Sequence, residues 1–255
     1  LVSPMIKQGL CIAVTSARKY GAYIRITRKM MECFGAVVDF DGEKYHMKSG
    51  LSYQAGCYQI EPDVSAACYF YAAAALTGGR AVVKNVTWNC MQGDLKFLEL
   101  LSQMGCTVNT TPDGIELKGV EADGAEGGRL RGITVDMKDF SDQAMTLAAL
   151  APFADSDVRI ENIGHIRLQE SDRIHAIVSE LGRLGICSDE EKDAITIHPG
   201  KPKPAIIQTY EDHRMAMAFS LVGLRVTGIE ISNPMCCRKT FETYFDLLDS
   251  LCNRK

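Results

Sequence analysis

At 255 residues, with 46% hydrophobic and 24% charged side chains, the chain can bury a sizeable core, and its composition is neither that of a disordered protein nor that of a membrane protein. A net charge of -4 argues against a general nucleic-acid binder, which needs a concentrated basic face, so an anionic ligand must be held by local charge. No apolar run reaches the roughly 18 residues of a membrane span, and the balance fits a cytoplasmic enzyme that uses neither membrane nor nucleic acid.

The chain opens at Leu1-Val2-Ser3 and runs at once into structured-looking sequence with no signal-peptide pattern, which reads as a fragment of a longer protein. A strand near Cys11 to Val14, a helix from about Tyr23 to Phe34 and two strands around Asp41-Gly42 make an opening half-unit. The 10 cysteines include no CxxC pair, and most lie in apolar helical runs, as Cys33 and Cys68 do; buried reduced thiols are the expectation, rather than disulfides or zinc ligands.

Three longer segments then share one plan: an acidic residue, a helix of small and apolar residues, a turn and a β-rich run. They open at Asp63, Asp142 and Asp212, and their strands are Ala81-Val82-Val83, Val158-Arg159-Ile160 and Ile229-Glu230-Ile231. Each strand leads to an amphipathic helix. Its buried stripe is Phe97, Leu98, Leu101 and Met104 in the first, Ile174, Ile177, Val178 and Leu181 in the second, and Phe241, Tyr244, Phe245 and Leu248 in the third. Strand pairs follow the first two, from Cys106 to Leu117 around Pro112-Asp113-Gly114 and from Ile186 to Ile197, so the unit reads βαβαββ. Repeats alone say nothing of chemistry. If the units are related by rotation, their helix N-termini gather around one anion site; each dipole adds only about 0.3–1 kcal/mol, so fixed Arg and Lys must supply most of the affinity.

Three polar clusters stand out. Arg167 to Arg173 precedes the Ile174 helix, where Ser171 or Asp172 is either a simple N-cap with Arg173 a solvated surface residue, or part of a site. Tyr210 to Arg214 precedes a helix of small residues, and His213 alone would more often be structural than catalytic. Cys236 to Thr240 opens the last helix, where a basic pair is unfavourable for the dipole unless an anion or solvent is near. Taken together, each cluster puts an Arg or Lys at the same relative place in a repeated unit, the set that a ligand with a carboxylate and phosphates requires.

The runs Gln169-Glu-Ser-Asp-Arg173, Glu211 to Leu221, Lys239 to Leu248, Glu61 to Leu76, Gln92 to Gly105 and Ser141 to Leu150 resemble, in order and spacing, the signature motifs of the enolpyruvylshikimate-phosphate synthases, over essentially the whole chain and matching their C-terminal portion. The resemblance implies an α/β (α+β) fold, the inverse α/β barrel of repeated βαβαββ units seen in enolpyruvyl transferases. Residues 1–56 would be the last unit of a split partner domain and 57–255 most of the second domain, with three repeats.

The implied activity is transfer of the enolpyruvyl group of phosphoenolpyruvate to the 5-hydroxyl of shikimate 3-phosphate, in aromatic amino-acid biosynthesis, a step that is the glyphosate target. It calls for no metal and no cofactor, and for the missing N-terminal part of the enzyme as partner. By the same resemblance Asp142 is the base beside the shikimate hydroxyl, Glu170 handles the methylene proton, and Lys239 meets the phosphate or moves a proton. Arg173 and Arg214 clamp the phosphoenolpyruvate carboxylate with His213 nearby, and Tyr23 and His165 line the shikimate 3-phosphate pocket. Gln169 stands where many members carry a substrate-contacting Lys, Tyr20 where a Ser is usual, and His165 where an amide is also common. Loss of one charge-assisted bond costs about 1.5–3 kcal/mol, so these departures bear on affinity for shikimate 3-phosphate. A proton-donating Glu170 requires a raised pKa. A non-catalytic remnant of the same fold is the alternative, and joint retention of Asp142, Glu170, Arg173, Arg214 and Lys239 speaks against it.

Overall fold

The computed structural model describes residues 1–15, 21–121 and 128–252 and divides into two units, Leu1–Glu61 with Asn89–Gly93, and Pro62–Trp88 with Asp94–Lys255. Tyr20 lies outside the described residues. No helix among the described residues is long and apolar enough to cross a membrane.

The smaller unit has a three-stranded antiparallel sheet, in the order β1-β3-β2, from β1 (Leu10–Ala13), β2 (Asp39–Phe40) and β3 (Lys44–Met47), with one helix, α1 (Ala22–Cys33). Met31, Ala36, Val38, Tyr45 and Met47 form its core. Arg28 ties helix to sheet, donating to the Val38 carbonyl from Nη2 at 2.7 Å with its guanidinium over the Tyr45 ring. Asp41 closes the β2–β3 turn by accepting from the Glu43 and Lys44 amides at 2.8 and 2.7 Å, which suits the left-handed Gly42. Cys33 lies on the exposed face of α1, not in the core, because the helix buries Ala22 and Met31 instead; Cys68, Cys106 and Cys237 are the buried thiols, and every cysteine is reduced.

The larger unit holds the repeats. In the first, α2 (Val64–Thr77) leads to β4 (Arg80–Lys84), α3 (Lys96–Gln103), β5 (Thr107–Thr111) and β6 (Gly114–Lys118), with sheet order β4-β6-β5. The second runs β7 (Ile133–Asp136), α4 (Ala144–Leu150), β8 (Val158–Glu161), α5 (Arg173–Arg183), β9 (Ser188–Glu190) and β10 (Ala194–Ile197), with order β7-β8-β10-β9. The third has β11 (Ala205–Ile207), α6 (His213–Ser220), β12 (Ile229–Ile231) and α7 (Tyr244–Cys252). The second repeat is thus the full βαβαββ unit. Its opening strand β7 lies parallel to β8, as β11 lies parallel to β12. These two short strands are absent from the sequence reading, which holds only the strands after the helices.

In the first repeat the corresponding edge of β4 carries no strand among the described residues. A groove of about 850 Å³ runs along it, walled by Ala66, Phe70 and Ala74 of α2 and by Leu248 and Leu251 of α7.

The helices α2, α4 and α6 are apolar on nearly every side and pack on one another, as helices must whose whole surface is buried. Ala-rich sequence lets them approach closely. The amphipathic α3 and α5 lie outside them with Phe97, Leu98, Leu101, Ile174, Ile177 and Leu181 buried. The third outer helix starts later than its apolar spacing predicts: Phe241 precedes α7, and Tyr244 supplies the buried ring.

Candidate active site

The central helices present their N-termini together, but the three acidic residues that open them do different jobs. Asp63 caps α2, accepting from the Ala66 amide at 2.9 Å, and Asp212 caps α6, accepting from the Arg214 amide at 2.9 Å. Asp142 sits inside a 3-10 turn, Ser141–Gln143, closed by the Gln143 amide on the Phe140 carbonyl at 3.0 Å, and its carboxylate meets partners from other helices.

Those partners are the two arginines. Arg173 Nη1 donates to Asp142 Oδ1 at 3.1 Å, and Arg214 Nη2 lies 2.9 Å from Asp142 Oδ2. Arg173 also grips Asp212, from Nε to Oδ2 at 2.7 Å and from Nη2 to Oδ1 at 3.3 Å, in a two-pronged pair. Arg173 is 2% exposed and Asp212 0%, so Arg173 is no surface residue; Asp172 is the N-cap of α5, through its bond from the His175 amide. Burial pushes the Asp212 pKa up, but its bonds from Arg173 and the Arg214 amide outweigh it and hold the carboxyl below its ordinary value.

Arg214 reaches across to the start of α2, where Nη1 donates to Ser65 Oγ at 2.6 Å. Behind it, Gln143 Nε2 donates to Ser65 Oγ at 3.0 Å and to Asp94 Oδ1 at 2.8 Å. Asp94 is buried, and desolvation raises its pKa. Ser65, Asp94 and Gln143 have no site role in the sequence reading, and Asp212 enters it only as a helix opener within the Tyr210 to Arg214 cluster. All four lie inside the quoted motifs, near helix starts, and that position is the only signal they give.

His213 is 5% exposed, and its Nδ1 has no hydrogen-bond partner among the described residues. Burial first, then the positive charges of Arg214 and Arg173, lower its pKa against the opposing pull of Asp212 and Glu170; the ring is neutral at neutral pH.

Glu170 and Lys239 form an ion pair, Nζ on Oε1. The bond from Lys239 holds the Glu170 pKa below its ordinary value, the reverse of the raised value expected for a proton donor. Lys239 does not open the last helix. It ends a 3-10 turn, Pro234–Lys239, five residues before α7, where the helix dipole does not oppose it. The three cations therefore do not occupy equivalent places: Arg173 starts the outer helix α5, Arg214 lies in the first turn of the central helix α6, and Lys239 ends a turn.

Gln169, in the same stretch, accepts from Arg173 Nη1 through Oε1. His165 is exposed, with Nε2 2.8 Å from Ser141 Oγ, next to Asp142 in sequence. Tyr23 belongs to the smaller unit, exposed in the first turn of α1. The larger unit thus draws Asp142, Arg173, Arg214, Gln169 and His165 into one polar network around the N-termini of α4, α5 and α6, with His213 buried next to it, Nδ1 3.8 Å from Asp212 Oδ1, and Glu170 and Lys239 paired beside it. Among the described residues no group of three or more His, Cys, Asp or Glu is placed to hold a metal.

What this arrangement can do is bind anions and move protons: one buried and one partly buried guanidinium fork, a carboxylate between them, and a lysine–glutamate pair able to exchange a proton. Comparison with known proteins agrees. The 3-phosphoshikimate 1-carboxyvinyltransferase of Nostoc punctiforme is 45% identical over 246 residues, covering 96% of this chain and 56% of that protein. The chloroplastic enzyme of that name from Arabidopsis thaliana is 40% identical over 233 residues, covering 90% and 45%. The chain therefore spans about half the length of these relatives. The EPSP synthase structure from Acinetobacter baumannii superimposes with a TM-score of 0.78 at 25% identity, over 98% of this chain and 58% of that one. The enolpyruvyl transferase NikO from Streptomyces tendae shares the fold at a TM-score of 0.66 and 19% identity. The family profile described as EPSP synthase (3-phosphoshikimate 1-carboxyvinyltransferase) matches residues 1–248, and the chain belongs to that family.

Proposed function

We propose that the chain supplies most of the catalytic groups for transferring the enolpyruvyl group of phosphoenolpyruvate to the 5-hydroxyl of shikimate 3-phosphate, in the cytoplasm. It does so together with polypeptide equivalent to the rest of its relatives' length. The observation that carries the reading is the convergence of Arg173 and Arg214 on Asp142. Two guanidinium forks, Arg173 buried and Arg214 partly buried, suit a carboxylate held from two sides, and a carboxylate between them suits a base acting on a hydroxyl beside that anion.

In this reading Arg173 and Arg214 hold the carboxylate of phosphoenolpyruvate, Lys239 its phosphate, and His213 packs beside them as a neutral donor. Asp142 takes the proton of the 5-hydroxyl as its oxygen bonds to C2, while C3 gains a proton. The tetrahedral adduct then loses phosphate as the bond from C2 to the phosphate oxygen breaks, C3 gives its proton back, and the hydroxyl proton held by Asp142 leaves with the phosphate. Glu170 serves C3 in both directions. It is ionised while paired with Lys239; an incoming phosphate that draws the ammonium away removes the main cause of its low pKa, so the same ligand that needs the proton prepares its donor. Tyr23, His165 and Gln169 are assigned to shikimate 3-phosphate.

The domain assignment belongs to the same proposal: residues 1–56 close one domain and 57–255 form most of another. The division near Glu61 supports it, and so does the unpaired β4 edge, whose groove suits a parallel strand from the complementary polypeptide, as β7 pairs with β8. The test is product identification. The chain joined to the complementary segment of a relative, given phosphoenolpyruvate and shikimate 3-phosphate, should yield phosphate and the enolpyruvyl ether in equal amounts by ³¹P NMR. Phosphate release without the ether would overturn the assignment of acceptor.

A further inference from the structure

Glu180 lies outside the network just described, yet it is 0% exposed, two helical turns after Arg173 on the same helix. A buried carboxylate is costly, and an apolar side chain of similar size would fill the space with less desolvation. What Glu180 holds accounts for it. Its Oε2 accepts from the Gln208 amide at 2.9 Å, and its Oε1 accepts from the Tyr210 hydroxyl at 2.7 Å and from Arg183 Nε at 3.1 Å.

Gln208 and Tyr210 flank the link from β11 to α6. There the Asp212 amide donates to the Thr209 carbonyl at 2.9 Å, and the two residues between, Tyr210 and Glu211, both have φ of 55°. Two successive positive φ angles inside a four-residue turn are the type I′ pattern, which Asn-Gly adopts readily and which strains side chains such as Tyr and Glu. The strain persists because both residues are tied: Tyr210 to Glu180, and Glu211 to Asn233 Nδ2 at 3.0 Å. The residue that leaves this turn is Asp212, whose carboxylate takes Arg173 at 2.7 Å.

We propose that Glu180 is a positioning residue: by clamping the strained Thr209–Asp212 turn it sets Asp212, and through Asp212 the plane of the Arg173 guanidinium. Helix α5 thereby fixes its own N-terminal arginine by way of a turn in the next repeat. The further consequence, that Glu180 governs affinity for phosphoenolpyruvate, rests on the functional reading above. Glu180→Gln keeps size and shape, but in either orientation its amide sets an N–H against a donor that cannot reverse, the Gln208 amide or Arg183 Nε, and the charge that strengthens the remaining bonds is lost, so the turn loosens.

The direct readout needs no turnover. In ¹H–¹⁵N spectra of the chain, the Arg173 Nε–H should exchange slowly with solvent, because it is buried and bonded to Asp212. Glu180→Gln should speed that exchange about tenfold or more, and Tyr210→Phe, which deletes only one of the bonds, about threefold. Adding Tyr210→Asn and Glu211→Gly to Glu180→Gln supplies residues at ease in the turn, and should bring the rate back to within about threefold of wild type. Unchanged exchange in folded Glu180→Gln or Tyr210→Phe, or a rescue of melting temperature without rescue of Arg173, would overturn the proposal.

In the completed enzyme, Glu180→Gln should raise the KM for phosphoenolpyruvate about tenfold, move that for shikimate 3-phosphate less than about twofold, and be reversed by the same turn substitutions. A wild-type protein without turnover would sink the functional reading and leave the exchange result to decide the role of Glu180.

Discussion

Arg214 lies 2.9 Å from Asp142, Nη2 to Oδ2, and the same guanidinium donates to Ser65 across the start of a different helix. The side chain proposed to clamp phosphoenolpyruvate is therefore held in place by the side chain proposed to deprotonate its co-substrate. On the proposed reading, an incoming carboxylate would compete with Asp142 for Arg214 and leave Asp142 held by Arg173 alone, which couples ligand binding to the state of the base.

Arg214→Lys keeps the charge but loses the fork, and a single ammonium cannot meet both Asp142 and Ser65 in the same directions. The expected outcome in the completed enzyme is a KM for phosphoenolpyruvate raised about tenfold or more, with that for shikimate 3-phosphate raised far less. Steady-state kinetics with each substrate varied in turn decides it; equal weakening of both would make Arg214 a residue of the fold alone.

Glu170→Gln removes the group assigned to the methylene proton while leaving an amide to face Lys239. Turnover should fall by a factor of about 10²–10⁴, with binding of shikimate 3-phosphate nearly unchanged by calorimetry. Near-normal turnover would remove Glu170 from the proton transfer.

His213 carries a pH signature. Its folded pKa lies below the 6.5 of a free imidazole, so above pH 6.5 both folded and unfolded states hold it neutral and it adds no pH dependence. As pH falls through 6.5 the unfolded state takes the proton first, and folding weakens by up to about 1.4 kcal/mol per pH unit until the folded pKa is reached. Denaturant titrations from pH 7.5 to 5 should show wild type losing more stability than His213→Gln over this interval. Parallel curves would contradict the buried, neutral assignment.

Much of this architecture is legible in the sequence, for reasons that particular residues illustrate. Asp63 and Asp212 announce helices because a cap bond is local, reaching only two or three residues. The α2 run, apolar on all sides, and the stripe of Ile174, Ile177 and Leu181 separate central from outer helices by periodicity alone. The strands β7 and β11 escape the reading although their partners β8 and β12, of the same four and three residues, do not; what makes them strands is parallel pairing with a segment on the far side of a helix, which local pattern does not show.

The site divides in the same way. Motif positions single out Asp142, Glu170, Arg173, Arg214 and Lys239 as candidates, but not the pairing of Arg173 with Asp212, 39 residues away, which decides between a solvated and a buried Arg173. Nor does local spacing reveal that Lys239, 69 residues from Glu170, depresses the pKa of the carboxyl it neighbours. Both are facts of tertiary packing.

The most direct test of the account is phosphate release from phosphoenolpyruvate and shikimate 3-phosphate, measured for the purified chain alone, for the complementary N-terminal polypeptide of a relative alone, and for the two mixed. Each charged hydrogen bond to substrate that the chain lacks by itself weakens binding by about 1.5–3 kcal/mol, and a cleft closed on one side only stays wet. The account predicts negligible release from either part and a saturable rate on mixing, abolished by Arg214→Ala in this chain. Robust release from the chain alone, or none from a mixture shown to associate, would contradict it.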